Sequence, residues 1–421
     1  MATILLNMIV KNEAHVIEKT LTTLCDKIKF AYWVISDTGS TDNTKELITS
    51  FFKNRGIEGE LFDDEWKDFG YNRTKALQHA YNKSDLLFVF DADDDLVGDF
   101  NAPTNLNADS YHLHFGNGFS TTYWRVCMIN NRKRWRYVGV LHEYIECMEG
   151  VAKNIFLEGD YYISHGTTGD RGKDPLKFNK DAAVLEKAFK ELDVKDTLRN
   201  RYAFYCANSY KDANEADRAI VWYKITISLD GGWDQEKYRS CIMLYELFKQ
   251  KNKMEDALFF ALQSYKFDKT RVEGIYKLVQ FYCSNGMNDI AMTFYRLIEN
   301  WYENNYLASN GNPLVDKLFV DIMDYDFYLP YFMIIISDHS KNHQLGVKMY
   351  NFIFSKKKIG PEWFMKNLLF NFQFFVQHVE NKNKKEFIGK AKDYLKFLED
   401  NDVKIGEVFY TSLYELTKKN V

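Results

Sequence analysis

Apolar and polar positions alternate along the first hundred residues in two rhythms. "TILLNMIV" is a short apolar run suited to a strand, interrupted at Asn7. "EAHVIEKTLTTLCDKI" places Val16, Ile17, Leu21, Leu24 and Ile28 on one helical face. "AYWVIS" predicts a second strand. "STDNTKELITSFFKNR" predicts a helix opening at Thr44–Ile48, with Ser40 or Thr41 as its cap. "GELFD" predicts a short third strand, "YNRTKALQHAYNKS" a helix, and "DLLFVFDAD" a strand again. Strand–helix alternation of this kind predicts an α/β domain with a mostly parallel sheet and helices on both faces. Ligands of such sheets bind beyond the carboxyl ends of the strands. The segments there are Lys11–Glu13, Asp37–Ser40 and Asp91–Asp95.

From Tyr111 to His165 the pattern changes to short strands: "SYHLHFG", "TYWRVCMIN", "WRYVGVLHEYIEC" and "DYYISHG". A mixed or antiparallel extension of the sheet is expected. "TTGDRGKDP" is polar, glycine-rich and ends on Pro175, which predicts a loop or linker. After Lys177 the chain reads as helix throughout. Three times an aromatic residue stands nine positions before an alanine that opens the next apolar face: Tyr210/Ala219, Phe248/Ala257 and Tyr282/Ala291. The alanines are 38 and 34 residues apart, and aromatics follow at Trp222 and Tyr223, Phe260 and Tyr295. A period near 34 with this small-then-aromatic pattern resembles tetratricopeptide repeats. The competing reading is an unrelated helical bundle.

Length changes this picture little: 421 residues imply two or three domains. A net charge of −4 implies no broad field for nucleic acid or an anionic membrane. Six cysteines without a CxxC pair read as reduced thiols of a cytosolic protein. "MATILLNMIVKNE" has no basic n-region and reads as a first strand. The longest other apolar run, "YFMIII", is far short of a membrane span. The expected location is therefore cytoplasmic.

Chemistry concentrates where "LLFVF" runs into Asp91, Asp93, Asp94 and Asp95. Adjacent carboxylates repel, so such a cluster needs positive charge beside it. Hard oxygen donors favour Mg²⁺, Mn²⁺ or Ca²⁺. Alternation along the strand puts Asp91 and Asp93 on one side, so both reach one site. The simpler reading is a helix N-terminus capped by an acid.

Four segments in order, "NMIVKNEAHVIEKTL", "VISDTGSTDNT", "FGYNRTKAL" and "LLFVFDADDDL", resemble family 2 glycosyltransferases of the GT-A fold, a Rossmann-like α/β domain. The resemblance covers about residues 3–170. It continues into the repeats, as in bacterial and giant-virus-type glycosyltransferases that carry tetratricopeptide repeats. It implies a GT-A domain over 1–170, a linker and first helix over 171–198, all-α repeats of TPR-like type over 199–300, and a helical extension over 301–421. The implied activity is metal-dependent, inverting transfer of a sugar from a nucleotide-sugar donor, UDP-linked by expectation, to a hydroxyl on a protein or glycan acceptor.

The resemblance also implies residue roles. Asp37 would accept the N–H of a uracil ring; its simpler reading is a turn within "SDTGSTD". Val10, Asn12, Glu13, Arg73, Asp91, Ala92 and His142 complete the implied donor-binding set. Asp93, with Asp91 and the distal His165, would hold Mn²⁺ or Mg²⁺. Glu143, in a "GxxHE" element, is the expected base, and Asp94 is its rival. The family's usual Asp-Ala-Asp-Glu reads Asp94 here in its fourth position, and Thr74 stands where asparagine is common. The basic run "NRKRWRY" would face phosphates or be a solvated strand edge. The helical repeats would bind the acceptor or form a homodimer. Two rival readings differ in the residues they need. A nucleotidyltransferase would need a glycine-rich phosphate loop after the first strand, which "IVKNEAH" lacks. A catalytically silent scaffold or binding protein would not need the intact acids, Arg73 and His165.

Overall fold

The computed structural model describes residues 2–116, 121–166, 168–311, 314 and 316–403. The chain forms two compact units, Met1–Ser240 with Val315–Val320, and Cys241–Leu314 with Asp321–Val421.

The first unit is built on a sheet. Strands β1 (Ile4–Val10), β2 (Tyr32–Asp37), β3 (Gly59–Asp63) and β4 (Leu86–Val89) alternate with helices α1 (Ile17–Lys27), α2 (Thr44–Arg55) and α3 (Phe69–Ala80). They are followed by β5 (Asp95–Gly98), β6 (Ser110–Phe115), β7 (Thr121–Asn130), β8 (Trp135–Val138), β9 (Tyr144–Cys147), β10 (Asn154–Phe156) and β11 (Tyr161–Ser164). The sheet order is β3-β2-β1-β4-β7-β6-β11-β5, with β10 on β6, while β8 and β9 pair separately. Strands β3, β2, β1 and β4 are mutually parallel. Strand β7 then enters antiparallel between β4 and β6. The expected α/β domain with a mixed extension is therefore present.

One face of the sheet buries Leu6, Met8, Ile35 and Phe88 against Ile17, Leu21 and Leu24 of α1 and Ile48 and Phe52 of α2. The other buries Leu5, Val34, Leu87 and Val89 with Leu77 and Ala80 of α3. Alternation along β1 feeds both layers, as expected of a strand covered on each side. The polar interruption at Asn7 is a tie between them. Its Nδ2 donates to Val34 O at 3.0 Å and to Ala76 O at 3.1 Å, so a buried amide is satisfied by sheet and helix together.

Three sequence expectations are corrected. Neither Ser40 nor Thr41 caps α2: the cap position is Asn43, and Asp42 Oδ1 accepts from Thr44 N at 3.1 Å. Strand β4 does not continue through the acids. Residues 91–94 form a turn closed by Asp94 N on Asp91 O at 3.3 Å, and β5 starts at Asp95. "WRYVGVLHEYIEC" is not one strand but the hairpin β8–β9, broken over residues 139–143.

Helices α4 (Lys177–Glu191), α5 (Leu198–Asp212) and α6 (Ala216–Ser228) complete the first unit, and α7 (Asp234–Gln250) begins in it. The second unit is helical, with α8 (Met254–Phe267), α9 (Glu273–Ser284) and α10 (Asn288–Arg296), followed by α11 (Leu329–His339), α12 (His343–Lys356), α13 (Glu362–Val376) and α14 (Asn381–Asp400). The expected all-helical region follows the sheet. Ala219, Ala257 and Ala291 are each fully buried. Each aromatic nine residues earlier accepts a turn-closing bond: Glu215 N on Tyr210 O, Lys253 N on Phe248 O and Met287 N on Tyr282 O. A left-handed residue lies between in each case, Asn214, Asn252 and Gly286. The sequence period is thus a repeated helical hairpin. Among the described residues no helix is long and apolar enough to cross a membrane. All six cysteines are free thiols.

Candidate functional site

The carboxyl ends of β1, β2 and β4 lie side by side, Val10 opposite Asp37 and Asn7 opposite Val89. The loops that leave them are laced together. Asn12, at φ +56°, donates its N–H to Ser40 Oγ (2.9 Å) and accepts Thr41 N on Oδ1 (2.8 Å). Asparagine tolerates that left-handed backbone better than most residues. Glu13 N donates to Thr44 Oγ1 at 2.8 Å. Val10 O accepts from both Thr38 N and Thr38 Oγ1, and Ala92 O accepts from Thr20 Oγ1 at 2.7 Å. The carbonyls of Val10 and Ala92 therefore hold loops in place.

Asp37 is fully buried. Its Oδ1 accepts from Gly39 N (2.9 Å) and Ser40 N (2.7 Å), the turn that the sequence allowed. Its Oδ2 is also buried and has no hydrogen-bond partner among the described residues. A buried acceptor without a donor is costly, so this oxygen calls for a donor from a water or a ligand.

The acid cluster is neutralised by cations. Asp91 Oδ1 meets Arg73 Nη2 at 2.6 Å and Oδ2 meets Arg125 Nη1 at 3.1 Å. Burial pushes the Asp91 pKa up, but the two guanidiniums outweigh it and hold the carboxyl well below its usual range. Arg73 also reaches Glu143, Nε to Oε1 at 2.7 Å, an ion pair without a directed hydrogen bond. Arg73 is 8% exposed, lies over the Tyr137 ring, and clasps the acidic turn to the 139–143 turn. Arg125, on β7, escaped the sequence reading. Its signal was an arginine within the apolar run Tyr123–Ile129.

Asp93 and Asp94 face the segment after β11. Asp93 Oδ2 accepts from Gly169 N at 3.0 Å. Asp94, 3% exposed, accepts on Oδ1 from Gly166 N (2.9 Å) and meets His165 Nδ1 at 3.1 Å. Burial raises the Asp94 pKa against the pull of His165, and the bond to Asp94 raises that of His165. A Cβ on Gly166 would lie 1.9 Å from Asp93 O, so only glycine permits this approach. Asp95 pairs outward with Lys19. Glu13 Oε1 accepts from Asp170 N at 3.4 Å, and its Oε2 is buried without a partner among the described residues. Burial, reinforced by Asp93, pushes the Glu13 pKa up to about 7, against the bond from Asp170.

His142 sits at φ +52° with its ring stacked on Tyr205, centroids 4.1 Å apart. The residue as a whole is exposed. Packing into the site, then the charges of Arg201, Arg171 and Lys177, push its pKa down. The basic run is spent on surface partners: Arg132 on Asp85, Lys133 on Asp109, Arg136 on Glu146 and Arg134 over the Tyr81 ring.

Among the described residues no three His, Cys, Asp or Glu side chains gather as a ready-made metal cage. Asp93 commits one oxygen to Gly169, and His165 commits Nδ1 to Asp94 while 62% of its side chain is exposed. One carboxylate oxygen and one imidazole nitrogen remain. That mixed donor set fits Mn²⁺ better than Mg²⁺, whose protein partners are carboxylates, with phosphates and water filling the rest of the shell. Asp91 fits such an ion least, because both its oxygens face guanidiniums.

Residues 7–99 match the sequence profile of the family described as Glycosyl transferase family 2. No curated protein sequence matches the chain. Three solved structures show distant likeness. Residues 1–349 of S. aureus TarS in complex with UDP-GlcNAc share 11% identity over 63% of this chain and 91% of that one, with a TM-score of 0.31. The mannosyltransferase PcManGT from Pyrobaculum calidifontis, in complex with GDP-Man and Mn²⁺, shares 11% over 63% and 87%, with a TM-score of 0.32. BtubC (BKLC) from P. vanneervenii shares 7% over 55% and 89%, with a TM-score of 0.35.

Proposed function

We propose that this chain, a glycosyltransferase with a family 2 domain at its N-terminus, moves a sugar with inversion from a UDP-linked donor to a hydroxyl on a protein or glycan. The observation that carries the donor reading is the Asp37 carboxylate. It is rigidly held by Gly39 and Ser40, fully buried, and left with one oxygen lacking a donor. The imide N–H of uracil supplies such a donor. Asn12 and Glu13 stand on the neighbouring loop, where base and ribose would lie. Asp91 is fixed by Arg73 and Arg125 and serves to hold the floor of the site more than to bind an ion.

Asp93 and His165 would hold Mn²⁺ or Mg²⁺. When bound, that cation supplies positive charge for the departing nucleoside diphosphate. Glu143 takes the proton of the attacking hydroxyl. Its side chain is 9% exposed and set by Arg73, whereas Asp94 is more deeply enclosed and already accepts from Gly166 and His165. A base must reach the proton it removes, which favours Glu143. His142, exposed beside it, contacts donor or acceptor. The helical hairpins read as a tetratricopeptide-like array that binds an extended acceptor or a second copy of the chain. The six free thiols agree with a cytoplasmic site of action.

The test is release of nucleoside diphosphate from a panel of nucleotide sugars with Mn²⁺, for wild type, Asp93→Asn and Asp37→Asn. We expect UDP from one donor, at least tenfold less with Asp93→Asn or chelator, and a KM for that donor raised about tenfold by Asp37→Asn. No release from any donor, with no metal-dependent thermal shift, would sink this reading and leave the scaffold.

A further inference from the structure

We infer that α5 belongs to the transferase site: Arg201, Tyr202 and Tyr205 are positioning residues that hold the 139–143 turn and so aim Glu143. The inference rests on the reading of Glu143 as the acceptor's base.

The turn between β8 and β9 has two left-handed positions within four residues, Gly139 at φ +111° and His142 at φ +52°. A histidine persists there only where surrounding contacts fix it. Those contacts come from two sides. From α3, Phe69 N donates to Val140 O at 3.2 Å and Arg73 meets Glu143. From α5, Tyr202 Oη accepts from Val140 N at 3.1 Å, and Arg201 Nε donates to His142 O at 2.7 Å. The Tyr205 ring lies against the His142 ring at 11° between planes.

Arg201 is itself fixed. Its Nη1 donates to Glu236 Oε1 at 2.9 Å, and its guanidinium lies over the rings of Tyr205 (4.9 Å) and Tyr144 (5.5 Å). Glu236 is buried, with 2% of its side chain exposed. A buried carboxylate anchors the arginine, the arginine anchors the His142 carbonyl, and Glu143 follows one residue later. Arg201 and Tyr205 are four apart on α5, so one helical turn presents both. The helix that closes the sheet domain therefore also sets its base. Small errors in the place of a base cost rate far more than donor affinity.

The test compares Arg201→Lys, Tyr202→Phe and the pair Arg201→Met with Glu236→Gln, the last made together so that no buried carboxylate is orphaned. Turnover is read as UDP release with water as acceptor, and the turn as the His142 ring signal by NMR. We expect the pair to lower kcat at least tenfold, with KM for the donor within about twofold, and to shift the His142 signal. Arg201→Lys should recover part of the rate, and Tyr202→Phe, which keeps its ring, should fall between. An active wild type whose variants keep kcat, or whose His142 signal stays in place, overturns the inference. A wild type silent on every donor overturns it too, but through failure of the transferase reading, and that result appears before any variant is made.

Discussion

Glu13 is the residue whose ionisation costs the fold most visibly at this site. Its carboxylate is half-buried near Asp93, with one oxygen unpartnered among the described residues, and its pKa stands at about 7 against an ordinary 4.5. A carboxyl raised on folding contributes stability that is complete below about 4.5 and lost as pH rises through about 7. Glu13→Gln stays neutral throughout. We expect its Tm relative to wild type to improve between pH 4.5 and 7 and to level off above, by a few °C in all, the exposed half of the group being screened. Thermal melts at pH 5 and pH 8 decide this. A Tm difference independent of pH would mean that Glu13 is not strained by its charge.

At the scale of elements, the decisive contact is between the start of α3 and the β8–β9 turn. A Cβ on Gly70 would stand 2.2 Å from Gly139 O. Gly70 lacks that atom, so the turn can lie against α3, where Thr74 Oγ1 accepts from Tyr137 N at 2.9 Å. The threonine that departs from the family pattern is thus used to seat β8. Gly70→Ala should push the turn away, costing about 1–3 kcal/mol of stability by overpacking and at least tenfold in kcat. Denaturant melts and steady-state rates measure the two. Unchanged rates would show that the 139–143 turn is not coupled to turnover.

At the scale of the molecule, the sheet and the first helices form one compact unit to Ser240. Helix α4 buries Ala182, Leu185 and Phe189, and α5 is buried on nearly all sides, Tyr202 to Ala207 without a break. A chain ended after residue 176 would lose the bonds of Arg201 and Tyr202 to the 139–143 turn and the Tyr205 ring against His142, and so free that turn. We expect it to be insoluble or to melt at least about 10 °C below the full chain, because several large buried side chains are removed together. A soluble, fully active 1–176 fragment would show that the helices serve only a separate binding role.

The sequence by itself determined the local chemistry. Period alone located the parallel strands and the helices between them, because buried strands and amphipathic helices have distinct spacings. The spacing of small and aromatic residues located the helical hairpins. The segments beyond β1, β2 and β4 were legible for the same reason: in a parallel sheet every strand's carboxyl end faces one edge. What only tertiary structure decided was which charge meets which. Asp91 found Arg73 and Arg125, one 18 residues before it and the other 34 after. Asp93, expected to share a side with Asp91 along an extended strand, was turned instead toward Gly169, and Asp94 toward Gly166 and His165. Arg201 found the His142 carbonyl 59 residues away. Local periodicity carries no record of such pairings. They arise when packing brings distant elements together and buried charges must be matched.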